Sequence, residues 1–123
     1  MNLESTLQIF SFDGKEAGVY LAALELGTAS IYELSQKTSL KRPTTYLVVD
    51  GLRRKGVLSL SKIRNKTYFT PLPPKKLFKK WENNLNQLNF ALPELENRQK
   101  NSKSKPFVQF FRALMASRLY IRN

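Results

Sequence analysis

The sequence predicts an α+β architecture, mainly helical with one small β-hairpin and continued by a long helix. Three observations carry this expectation. Apolar residues recur at helical spacing through several short segments before Gly56. The period then drops to two between residues 57 and 70, and beyond a cluster of prolines it returns to helical and persists to Leu95.

The first segment places Leu3, Leu7 and Phe10 on one helical face, a short leading helix expected to pack on the helices C-terminal to it. Asp13-Gly14-Lys15-Glu16 reads as a capping box, in which the aspartate accepts from the N3 amide and the glutamate returns to the N-cap N–H. Ala17, Tyr20, Leu21 and Leu24 then recur at i, i+3, i+4 and i+7, a stripe of core residues, and Gly27 stops the helix. A second capping box, Ser30-Ile31-Tyr32-Glu33, opens a short helix with Ile31 and Leu34 inward, and Thr38 and Ser39 turn the chain onward.

The stretch from Ser39 to Leu60, SLKRPTTYLVVDGLRRKGVLSL, organises the rest. It predicts a helix over roughly residues 41–55 with Thr45, Val48, Val49 and Leu52 inward. Pro43 fits only a first turn, where its missing N–H has no partner to lose. Arg53, Arg54 and Lys55 complement the negative end of the helix dipole, and Gly56 supplies the left-handed residue that ends it. Lys41 and Arg42, however, oppose the positive N-terminus, an arrangement that makes sense if an external polyanion lies there. Two helices a few residues apart, the second with a basic start, form a helix-turn-helix pattern.

After Gly56, Val57-Leu58-Ser59-Leu60-Ser61 alternates, Lys62 to Lys66 is polar and turn-like, and Thr67-Tyr68-Phe69-Thr70 is rich in strand formers. A helix-turn-helix followed at once by such a hairpin is a winged helix, here with a basic wing. Pro71, Pro73 and Pro74 end the sheet. Phe78, Trp81, Leu85, Leu88, Leu92 and Leu95 then follow a 3-4-3-4-3 spacing, a heptad seam about 26 Å long at 1.5 Å per residue. So narrow a stripe among polar neighbours fits pairing with a second helix, and Pro93 should kink it. Residues 97–105 form a polar, basic linker, and the closing PFVQFFRALMASRLYIRN fits either a helix or the start of a strand. The expected organisation is a winged helix over 1–72, a coiled-coil dimerisation helix over 73–101 and a tail over 102–123.

Composition narrows the function classes. With 123 residues there is room for one compact domain plus an extension. No apolar run approaches the ~20 residues of a membrane span, and the start MNLESTLQIF lacks the order of a signal peptide, so a cytoplasmic protein is expected. There is no cysteine and no histidine, which removes thiolate or imidazole metal sites and most nucleophile–base pairs; no cofactor, metal site or catalytic residue is expected. Residues 1–40 hold two Lys/Arg against five Asp/Glu, a net −3. Residues 41–80 hold twelve against Asp50 alone, a net +11, and residues 81–123 hold seven against three, a net +4. A basic block of that size within a folded pattern favours a polyanionic partner. Nine carboxylates with no clustered pair give general acid–base chemistry little to work with, and one acid in residues 41–80 does not make the carboxylate cluster a magnesium-dependent nuclease needs.

The segment FDGKEAGVYLAALELGTASIYELSQKTSLKRPTTYLVVDGLRRKGVL resembles the N-terminal winged helix of the TrmB-like transcriptional regulators. The similarity continues through YFTPLPPKKL and the helix containing ALPEL, and KPFVQFFRALMASRLY is similar to the opening of that family's effector-binding domain. The resemblance implies a dimeric, DNA-binding regulator whose tail is a remnant of the effector domain; no small-molecule effector is expected in so short a chain. At the position after the recognition-helix tyrosine, where the family often carries arginine, this chain has Leu47.

These readings give an expected mechanism. The recognition helix enters the major groove with Arg42, Thr44, Tyr46 and Leu47 near base edges and Lys41 and Arg54 nearer phosphates. Lys62, Arg64 and Lys66 ride the flanking backbone or minor groove. With Leu47 in place of a long donor, phosphates should dominate affinity and specificity should be modest. The alternative is a winged-helix protein-interaction module, which predicts an exposed apolar groove and no strong salt-dependent DNA binding.

Overall fold

A computed structural model describes residues 2–101 and 112–115. The element order is α1 (Leu3–Ile9), α2 (Gly14–Leu26), α3 (Ile31–Thr38), α4 (Arg42–Arg54), β1 (Leu58–Ile63), β2 (Lys66–Pro71) and α5 (Pro74–Lys100). Arg112–Met115 form a further, exposed helical turn, and the rest of the tail, for which the sequence allows either helix or strand, lies outside the described residues. The chain divides into two compact units, Met1–Trp81 and Glu82–Asn123, so the first unit includes the opening turns of α5.

Within the first unit, both capping boxes form as the sequence implies. Asp13 accepts from the Glu16 amide at 2.7 Å while Glu16 accepts from the Asp13 amide at 3.1 Å. Ser30 and Glu33 exchange the same pair of bonds at 3.2 and 3.1 Å. Gly27 at φ +81° and Gly56 at φ +74° take the backbone conformations that stop α2 and α4.

α2 departs from the expected narrow stripe. Val19, Ala22 and Ala23 are buried along with Ala17 and Tyr20, whereas Leu21 and Leu24 are half-buried. The physical reason is position: α2 is packed by α1, α3, α4 and β2, and its alanines let those neighbours approach from several sides. The core runs from Phe12 to Leu77, with Leu34, Leu52, Val57 and Phe69 at its centre and Trp81 packed against its edge. The Tyr20 hydroxyl donates to the Leu72 carbonyl at 2.6 Å, tying the chain that leaves the sheet to α2. Burial pushes that phenol above its ordinary pKa.

β1 and β2 pair antiparallel, with Leu60 opposite Phe69, Lys62 opposite Thr67 and Ile63 opposite Lys66. The turn is tighter than the polar run Lys62–Lys66 suggests. Arg64 and Asn65 alone form it, at φ +52° and +67°, the double left-handed signature of a type I′ hairpin whose twist matches its strands. Lys62 and Lys66 are therefore strand residues flanking the tip. Ala29 adds a bridge to β2, exchanging both backbone bonds with Phe69 at 2.9 and 2.7 Å. Together with the Thr28–Thr70 hydroxyl bond at 3.0 Å, this bridge moors the wing to the helix-turn-helix.

The helix assigned to α5 continues through Pro93 to Lys100. Among the described residues no helix is long and apolar enough to cross a membrane, and no cluster of acids could hold a metal ion.

Candidate nucleic-acid interface

α4 is fixed by one face and presents the other. Thr45, Val48, Val49 and Leu52 are buried, as their spacing implies. At 100° per residue the exposed side divides into a crest of Pro43, Leu47, Asp50 and Arg54 and a flank of Arg42, Tyr46 and Arg53. Leu47 is 75% exposed and Tyr46 52%. Thr44 lies on the opposite flank with Gly51 and is half-buried, so it stands apart from the other expected contacts.

The start of α4 differs from those of α2 and α3. Lys41 is its N-cap, with no side-chain capping bond, and no acid occupies the first turn. The adjoining cations Lys41 and Arg42 are exposed. In α2 and α3 the amides of the helix start are partly satisfied by aspartate, serine and glutamate.

The wing and α4 enclose a groove of about 620 Å³. Arg42, Tyr46, Asp50 and Arg53 line it from α4, Lys66 and Thr67 from β2, and Tyr32 from α3, over a floor that includes Ile31, Val49, Leu60 and Phe69. Of the expected site residues, Arg42, Tyr46 and Lys66 thus come together. Lys62 and Arg64 are exposed near and at the hairpin tip, and Lys41 is exposed at the helix start. Two groove residues escape a reading of the sequence alone. Arg53 is legible in principle, because it follows Tyr46 by seven positions and shares its face. Tyr32 carries no local signal, since only the packing of α3 beside the wing brings it here.

Arg54 and Lys55, both in the basic block, are already engaged. Arg54 binds Asp50 one turn away through Nη2 and Oδ2. Lys55 reaches back across the fold: its Nζ donates to Glu16 Oε1 at 2.5 Å and to the Ser11 carbonyl at 2.6 Å, and lies 5.7 Å from the Phe12 ring centroid. Glu16 is nearly buried, and Gly51 makes room for it, since a Cβ there would stand 2.9 Å from Glu16 Oε2. Lys55 therefore pins the C-terminal end of α4 to the start of α2. Lys55→Met should destabilise the fold by about 3 kcal/mol, because it strands a buried carboxylate; thermal melting checks this, and an unchanged midpoint would show that the pin carries no weight.

The expected dimerisation residues divide between the two units. In the first, Phe78 is exposed, whereas Trp81 stacks on Phe10 at 4.9 Å and meets Phe12 edge-on at 5.4 Å. In the second, Leu85, Leu88, Leu92 and Leu95 are all exposed.

Comparison with known proteins agrees with this geometry. A family model described as the sugar-specific transcriptional regulator TrmB matches residues 7–75, more than half of the chain. The fold is similar to that of TrmBL2, described as an archaeal chromatin protein, with a TM-score of 0.68 and 22% identity over 94% of this chain and 44% of that one. This chain thus spans less than half of TrmBL2. It is also similar to the ST1889 protein of Sulfolobus tokodaii (TM-score 0.58, 19% identity, 75% of this chain and 99% of that one). A MarR family protein from Bacillus stearothermophilus gives a TM-score of 0.52 at 19% identity, over 95% of this chain and 80% of that one. At these identities the likeness is one of fold. A comparison with curated protein sequences found no match.

Proposed function

Because this chain belongs to the TrmB family of transcriptional regulators, DNA-binding proteins rather than enzymes, we propose that it binds duplex DNA with sequence preference as a homodimer and regulates transcription by occupying a promoter. α4 enters the major groove, and the wing follows the flanking backbone.

The observation that carries this reading is the groove between α4 and the wing, where Arg42, Arg53 and Lys66 converge with two exposed tyrosines. Guanidinium and ammonium groups neutralise phosphates, and tyrosine hydroxyls donate to their oxygens. The apolar floor suits the C–H faces of deoxyribose. With the backbone held on that flank, the crest of α4 meets base edges, where Leu47 can pack on a thymine methyl and Arg42 can reach guanine. Lys62 and Arg64 extend the phosphate track along the wing. The three cations among the groove's lining residues favour this reading over the protein-interaction alternative, which the salt dependence of DNA binding tests.

Fluorescence anisotropy with duplex DNA tests the assignment. Arg53→Ala and Lys66→Ala should weaken binding to all sequences alike and lower the slope of log affinity against log salt by about one per half-site. Arg54→Ala, whose guanidinium is held by Asp50, should lower it less. The reverse order would place the backbone on the crest and overturn the proposed docking.

A further inference from the structure

We propose that Asp50 is a specificity-determining residue: its carboxylate, presented on the crest of α4 and held by Arg54, accepts a hydrogen bond from the exocyclic amine of a cytosine in the major groove. The proposal rests on the DNA-binding reading above.

Asp50 is the lone acid among the twelve cations of residues 41–80, and it sits on the face of α4 that the fold leaves open. Its side chain is 48% exposed and borders the groove. Arg54 occupies Oδ2, and Oδ1 has no hydrogen-bond partner among the described residues. Arg54 thus engages one carboxylate oxygen and leaves the other as an open acceptor. As a stabilising device the arrangement does little, since an exposed i, i+4 ion pair contributes weakly to a helix that the core already holds. Against DNA the same carboxylate has a large effect of either sign. It repels phosphates and faces unfavourably the O6 and N7 of guanine and the O4 of thymine, all acceptors. Where it meets an amine donor the repulsion is offset by a charge-assisted hydrogen bond.

Two bases offer such a donor in the major groove. Adenine flanks its N6 amine with the N7 acceptor, which opposes a carboxylate; cytosine does not. Asp50 therefore favours cytosine and penalises the rest, and this compensates in part for the apolar Leu47 on the same crest. Arg54 acts as a positioning residue, through Asp50.

Selection of bound sequences from a random duplex library, run with wild type, Asp50→Asn and Asp50→Ala, tests this. Wild type should enrich a C·G pair at one fixed position in each half-site. Asn both donates and accepts and pairs with adenine N6 and N7, so Asp50→Asn should move the preference at that position from cytosine to adenine. Asp50→Ala should erase the preference there and tighten binding to the unselected pool about 3–10-fold at low salt, because one negative charge no longer opposes the phosphates. If both variants select the wild-type base, the inference falls. It also falls if they tighten binding to every sequence equally without changing the preference, since Asp50 would then act by charge alone. In both of those results DNA binding itself stands. A wild type with no salt-dependent affinity for the pool would defeat the DNA reading and this inference together.

Discussion

Duplex DNA affinity should fall about 10³–10⁵-fold between roughly 50 and 200 mM salt, the response expected when a protein neutralises about 6–10 phosphates. The charge block of residues 41–80 sets the scale, but the structure trims it. Lys55 is committed to Glu16, and Arg54 to Asp50. Lys41, Arg42, Arg53, Lys62, Arg64 and Lys66 remain exposed on the helix start, the groove side and the wing. A dimer that seats about half to two thirds of these per half-site reaches the stated number of contacts. Binding in low salt should be micromolar or better even without an operator, since each released counterion contributes whatever the sequence. Anisotropy of a labelled duplex over a salt series measures the slope directly. A flat response would point instead to a winged helix that binds protein.

The second large effect concerns assembly. Leu85→Asp combined with Leu88→Asp should convert a homodimer, paired through residues 75–99, into a folded monomer. The motive is exposure: Leu85 is 65% and Leu88 54% exposed on one stripe that continues to Leu92 and Leu95. Burying each such side chain against a partner contributes roughly 1.5–3 kcal/mol before the entropy of association is subtracted. Two carboxylates placed in that seam would reverse the gain. The winged helix should keep its melting behaviour, because its core runs from Phe12 to Leu77 and includes neither leucine. DNA affinity should drop about 100-fold or more, as the second half-site is no longer delivered at high effective concentration. Sedimentation of both proteins decides the matter: a wild type monomeric at tens of micromolar would sink the dimer.

The local devices of this fold were legible residue by residue. Capping boxes, helix-stopping glycines and inward faces depend on interactions within about four positions, and Asp13–Glu16, Ser30–Glu33 and Gly56 all behave accordingly. The inward set Thr45, Val48, Val49 and Leu52 follows from helical period alone. The exposed residues of α4 follow from the same period, so Arg53 was within reach of the sequence, hidden by its place beside Arg54 and Lys55 in a run of cations.

What the sequence by itself determined is therefore the order of elements, the buried face of α4 and the sign of the charge that surrounds it. These depend on periodicity and composition, which the chain carries before it folds. Tertiary structure alone decided that Lys55 is committed, because it meets Glu16 across 39 positions and no local pattern encodes that encounter. It likewise gave Trp81 its partners in Phe10 and Phe12, whereas a heptad period is the same whether a ring packs on its own domain or on another helix. The groove itself belongs to this second class. Tyr32, Arg42, Arg53 and Lys66 come from three elements, and the Ala29–Phe69 bridge that moors the wing beside α3 sets where it lies.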